Sequence, residues 1–175
     1  MLAEALRACG VVRRGQFVLA SGKSSDWYID VKAACAKPTV LRTIGRQVAD
    51  IAAGQRCDRL AGMELGAVSI TVATALAAGI PYVIVRKGLQ DHGAGRQMEG
   101  DLVPGERVLV IEDVTTTGAS TLRAVQMLRA AGAIVEKAVV VVDRQEGAVE
   151  ALAAAGVELM PLVRASELLD EVRNG

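Results

Sequence analysis

The sequence predicts an α/β fold, a central parallel sheet with helices on both faces. Two observations lead to it. Short apolar runs alternate with stretches of helical length along the whole chain, which is the order that strand–helix–strand units require. One of those runs, VLVI at 108–111, stops at two carboxylates, Glu112 and Asp113. In a parallel sheet the carboxyl ends of the strands are where ligands bind.

The elements follow in order. A first helix is expected over residues 2–9, then two short strands at 17–20 (FVLA) and 28–31 (YIDV), joined through the polar turn SGKSSDW. A helix over 39–53 leads to a strand at 59–62 (RLAG), a helix at 67–78 and a strand at 82–85 (YVIV). A glycine-bearing polar stretch separates this from the strand at 108–111 and the helix at 119–131. The strand at 135–142 (VEKAVVVV), a helix at 148–155, a strand at 157–162 (VELMPL) and a helix from Ser166 complete the chain. The continuous apolar runs read as buried strands. No internal repeat, low-complexity tract or interdomain linker interrupts them, and 175 residues suit one domain able to bury a core.

Composition narrows the function. Twenty basic residues balance twenty acidic ones, so no overall field draws the chain to nucleic acid or to a membrane. Phe17, Trp27, Tyr28 and Tyr82 are its aromatic residues, too few for a nucleic-acid stacking platform. No apolar run reaches the length of a membrane span. The opening MLAEALRACG contains an acid and lacks a signal-peptide pattern, so a cytoplasmic location is expected. Cys9, Cys35 and Cys57 are odd in number and lack metal-ligand spacing, and are read as reduced and structural. His92 is the sole histidine, which excludes any site built on two imidazoles.

The segment RVLVIEDVTTTGAST, residues 107–121, carries the chemistry. Thr115, Thr116, Thr117 and Gly118 form a small hydroxyl-bearing turn, and the helix starting at Ala119 and Ser120 points its free N–H groups back into it. A helix amino end above a nest of amides cradles phosphate. Glu112 and Asp113 would repel a bare phosphate, so they face something cationic or hydroxylated: a ribose diol, a metal or a developing positive charge. A sugar phosphate satisfies both halves.

This segment resembles the signature of the type I phosphoribosyltransferases, which bind phosphoribosyl pyrophosphate (PRPP). A second segment, FVLASGKSSDWYID at 17–30, is by itself an ordinary hairpin. Beside the first it resembles the base-binding segment of the orotate phosphoribosyltransferases. Glycines in GMELGAVS at 62–69 could expose amides to a second phosphate group. The stretch RKGLQDHGAGRQMEG at 86–100 is similar to that family's flexible loop, and Asp143 and Arg144 follow another apolar run.

The resemblance implies the type I phosphoribosyltransferase fold in a single domain, with a small hood over about residues 1–35 and a lid over about 87–100. It implies transfer of the phosphoribosyl group from PRPP to orotate in pyrimidine synthesis. Glu112 and Asp113 would steady the ribose, with Val114, Thr115, Thr116, Thr117, Gly118, Ala119 and Ser120 around the phosphate. Arg86, Lys87, Gln90 and His92 would meet the pyrophosphate, Lys87 and His92 acting in catalysis with the two acids. Arg144, Thr116, Tyr28, Ile29 and Ser21 would hold orotate. Mg²⁺ is the implied cofactor, held mainly by substrate oxygens rather than by a protein site. A homodimer whose lid completes the partner's site is implied as well. The sequence departs from the family at Gln90, where a loop lysine is the rule, and at Ala20, where many members place a cation. Two other readings stay open: transfer to another base, against which Arg144 argues, and a PRPP- or nucleotide-sensing regulator, which Gln90 favours and the complete acid-and-hydroxyl turn opposes.

Overall fold

A computed structural model describes residues 1–18, 22, 24–86 and 97–169. Its elements run α1 (Leu2–Ala8), β1 (Val12–Val18), β2 (Ser24–Ile29), α2 (Val31–Cys35), α3 (Pro38–Ala53), β3 (Arg59–Met63), α4 (Val68–Ala78) and β4 (Tyr82–Val85). They continue with β5 (Met98–Glu99), β6 (Arg107–Thr115), α5 (Ala119–Ala130), β7 (Ile134–Asp143), α6 (Ala148–Ala154), β8 (Glu158–Arg164) and α7 (Ala165–Leu169). A six-stranded sheet has the order β5-β4-β3-β6-β7-β8, and β1 and β2 form a separate antiparallel hairpin.

Strands β4, β3, β6, β7 and β8 are parallel, as expected, whereas β5 adds an antiparallel edge of two residues against β4. Chain order reverses between β3 and β6, and the crevice at their carboxyl ends is where open α/β sheets bind ligands. Alternation along β6 divides the core. Leu109 and Ile111 join a cluster with Val40, Ile44 and Val48 of α3 and Ile70 of α4. Val108 and Val110 join Ala124, Val125 and Leu128 of α5 and Leu152 of α6 on the other face. The side-chain period of two in a strand is the cause. Pro161 is tolerated in β8 because that strand lies at the sheet edge.

Three expectations shift. The hairpin strands begin earlier than 17–20 and 28–31, because Val12, Arg13 and Arg14 pair with Ile29, Tyr28 and Trp27 although most of β1 is exposed. Its register is irregular between Arg14 and Phe17. Residue Val31 starts a helix rather than ending a strand: Asp30 caps α2 by accepting from the Ala33 N–H at 3.2 Å. Strand β6 runs on through both carboxylates to Thr115, since Glu112, Val114 and Thr115 keep register with Val140, Val142 and Asp143 of β7.

Candidate active site

Because β6 continues through Glu112 and Asp113, these neighbours point to opposite faces of the sheet. Glu112 turns toward α5, is 5% exposed, and accepts a hydrogen bond from the Thr121 hydroxyl in the first turn of that helix. Asp113 turns toward α2 and the β3–α4 turn. There its carboxylate lies against Gly66, where a Cβ would come within 2.0 Å of Oδ2, so only glycine leaves it room. The Lys32 Nζ of α2 stands 3.9 Å from Asp113 Oδ2. Within the chain, then, one acid meets a hydroxyl and the other a cation.

Beyond Thr115 the chain turns through Thr116 and Thr117 to Gly118, which caps α5 in the left-handed conformation at φ 78°. That conformation costs glycine little and other residues considerably more. Residues 116–120 line a cleft of about 320 Å³ together with Tyr28, Ile29, Lys32 and Arg144. Glu112, Asp113, Val114, Thr115, Thr116, Thr117, Gly118, Ala119 and Ser120 all border this one cleft. Thr115 is buried, and its carbonyl accepts the Arg144 N–H at 3.0 Å. The cleft combines the α5 amino end with two carboxylates, an arrangement suited to a phosphorylated polyol.

On β2, Tyr28 and Ile29 turn to different surroundings. Strand alternation buries Ile29 in the core at 2% exposure, and the Tyr28 ring instead pairs with Phe17 at 5.5 Å between centroids. Arg144 is 5% exposed. Its guanidinium stacks 3.7 Å from the Trp27 ring centroid, with Nε donating to Glu146 at 2.8 Å and Nη2 to the Ser25 hydroxyl at 3.1 Å. Trp27 and Ser25 therefore orient this arginine from the hairpin. Both lie in the SGKSSDWYID segment, which the sequence marks without giving either a role toward Arg144; Lys32 and Thr121 carry no role in the sequence reading. Lys32, a cation two residues past the end of the SGKSSDWYID segment, is the legible sign among them.

Arg86 lies outside the cleft lining, at the end of β4, where it pairs with Glu99 at 3.1 Å. Lys87, Gln90, His92 and Ser21 fall outside the described residues. Gly62 does not offer a free loop amide: it sits inside β3, paired on both edges, and its missing side chain makes room for the Thr71 hydroxyl. Lys32 is held above the ordinary lysine range. Burial alone would push it down, and Asp113, Tyr28 and Asp30 together outweigh that effect. Burial, with Asp113 adding to it, pushes the Cys35 thiol up to about 11, which leaves it an unreactive core group. Among the described residues no three His, Cys, Asp or Glu side chains gather as a metal cluster. Two carboxylates beside a phosphate cradle nevertheless fit Mg²⁺, which takes one or two carboxylates and completes its shell with phosphate oxygens.

A phosphoribosyl transferase domain family matches residues 37–157. The orotate phosphoribosyltransferase of Methanoculleus marisnigri is 50% identical over 169 residues, spanning 97% of both chains. That of Methanosarcina mazei is 48% identical over 168 residues, 96% of this chain and 90% of its own. Among solved structures, orotate phosphoribosyltransferase from Aeropyrum pernix superposes with a TM-score of 0.86 at 35% identity, covering 100% of this chain and 99% of that one. The Mycobacterium tuberculosis orotate phosphoribosyltransferase in complex with PRPP gives 0.78 at 34% identity, covering 95% and 96%.

Proposed function

The chain belongs to the orotate phosphoribosyltransferase family, and from that premise we propose how its cleft transfers the phosphoribosyl group of PRPP to orotate. The products are orotidine 5′-monophosphate and pyrophosphate, and the step serves pyrimidine synthesis. One observation carries the assignment of roles. The acid-bearing end of β6, the 116–118 turn under α5, and Arg144 braced on the hairpin border a single cleft at the point where strand order reverses.

The amides of the turn and of the first turn of α5 receive the 5′-phosphate. Glu112 and Asp113 lie near the ribose diol. As the bond from C1′ to pyrophosphate loosens, positive charge builds on the sugar, and these fixed carboxylates favour it electrostatically. Arg86, Lys87 and His92 favour the departing anion, with Gln90 adding a neutral donor. A ring nitrogen of orotate attacks C1′ from the opposite face while Arg144 and Thr116 take its carboxylate, and Tyr28, Ile29 and Ser21 bound the ring. Mg²⁺, when bound with PRPP, would supply charge neutralisation on the pyrophosphate, held mainly by substrate oxygens with Glu112 and Asp113 as the carboxylates that would complete its shell.

Residues 1–35 act as a hood and 87–100 as a lid that keeps water from the sugar cation. The working unit is a homodimer whose lid reaches the partner's cleft. Helix α4 supports such an assembly: its sequence VSITVATALAA is apolar around most of its circumference, and Leu76 on it is 83% exposed. A surface helix of this kind normally has its outer face covered. Among the described residues no helix is long and apolar enough to cross a membrane; a cytoplasmic location belongs to the same proposal and is supported by its role in pyrimidine synthesis.

Loss of orotate absorbance in the presence of PRPP and Mg²⁺ tests the reading. Orotate should be consumed, and hypoxanthine and uracil should not. Faster consumption of either of those bases would overturn the substrate assignment.

A further inference from the structure

Lys32 has no role in the mechanism above, yet it lines the cleft between the two halves that the mechanism uses. Helix α2 holds it there: Val31, Ala34 and Cys35 are buried, and Asp30 caps the helix, so the backbone at residue 32 is anchored. The ammonium lies 3.4 Å from the Tyr28 hydroxyl on β2, 3.9 Å from Asp30 Oδ1 and 3.9 Å from Asp113 Oδ2 on β6. Asp30 already has firmer partners, Arg13 of β1 at 3.0 Å and the Ala33 N–H at 3.2 Å. The Asp113 carboxylate occupies the space that a side chain at residue 66 would fill, room that Gly66 leaves for it.

We propose that Lys32 is a positioning residue: with Gly66 it fixes the orientation of Asp113, and through Tyr28 it ties the ribose half of the cleft to the base half. The inference rests on the reading of this cleft as the PRPP and orotate site. At 3.9 Å the contact with Asp113 is an ion pair without a direct hydrogen bond. The Lys32 side chain is 44% exposed, and ion pairs so open to water contribute little to folding. What the lysine offers is a constraint on the direction of a carboxylate that must meet the ribose, and small misplacements of such groups cost rate steeply.

A double-substitution cycle tests this. Lys32→Met should lower kcat/KM by about tenfold with an unchanged melting temperature, and Lys32→Arg, which restores a cation, should recover most of the loss. In an Asp113→Asn background Lys32→Met should cost almost nothing further, because a residue acting through Asp113 has nothing left to position. The same cycle on PRPP affinity, measured by calorimetry with Mg²⁺ and no orotate, should show the same coupling. That arm is independent of base specificity, and wild-type orotate turnover alongside it tests the substrate reading separately. Equal losses from Lys32→Met in both backgrounds would overturn the proposal and place the ammonium directly on the substrate. An unchanged kcat/KM in Lys32→Met would overturn it as well.

Discussion

The two ends of the parallel sheet treat charge differently. At the amino edge the ions are closed on one another. Arg59, 9% exposed, donates from Nε and Nη2 to Glu106 at 2.6 and 2.7 Å, and Glu106 also accepts the Val103 N–H at 3.0 Å. Beside it Arg107 pairs with Glu136 at 2.8 Å, and its N–H donates to Asp58 at 2.8 Å. The hollow at this edge measures about 80 Å³. At the carboxyl edge a cleft of about 320 Å³ opens with Glu112 and Asp113 among its lining, Glu112 accepting from Thr121 and Asp113 standing beside Lys32. Paired charges at one edge secure the fold, whereas the same residue types at the other keep bonding capacity for a ligand.

Substituting one acid at each edge separates these uses, and the largest effect is expected at the cleft. Asp113→Asn removes charge with little change of shape, so kcat should fall by about 10² or more, the usual cost of losing one electrostatic stabiliser. The melting temperature should stay near that of the wild type. An unchanged kcat would erase the contrast between the edges.

Arg144 sits between the two categories, since it is braced like an amino-edge ion yet borders the cleft. Arg144→Ala should raise the orotate KM roughly 30- to 150-fold, the equivalent of about 2–3 kcal/mol for a lost charged contact. The PRPP KM should move much less. Equal rises in both constants would show that this arginine serves the hairpin through Trp27 rather than the base.

At the amino edge Glu106→Gln should leave kcat unchanged and lower stability by about 2 kcal/mol, or roughly 4–8 °C for a chain of this size. The effect should depend on pH in one direction. The Arg59 hydrogen bonds, the largest influence, hold the Glu106 carboxyl below its ordinary 4.5. A carboxylate depressed in this way stabilises the fold above its unfolded pKa and loses that contribution as pH falls through the folded value. The gap between wild type and Glu106→Gln, followed by thermal melts, should therefore be full at neutral pH and shrink below about pH 4.5.

Strands β3 and β4 were legible because each carries a short apolar run, LAGM and YVIV, inside the sheet. Strand β6 was legible only in its apolar part, because Glu112 and Asp113 have no strand pattern and remain extended through pairing with β7. Helix α2 was misread at Val31, although Asp30 three residues before Ala33 was a usable capping sign. β5 could not be read at all, since two residues become a strand only when β4 lies alongside.

The chain's own order of residues determined the α/β architecture, the acid-and-hydroxyl segment at the end of β6, and the family, because periodicity, turn chemistry and motif spacing act over short stretches of chain. Tertiary structure alone decided how those groups are used. It sent Glu112 and Asp113 to opposite faces, stacked Arg144 on Trp27 across 117 positions of sequence, and set Lys32 beside Asp113 from a helix 81 residues earlier (113 less 32). Such contacts depend on strand register and helix packing between distant segments, so no local pattern encodes them.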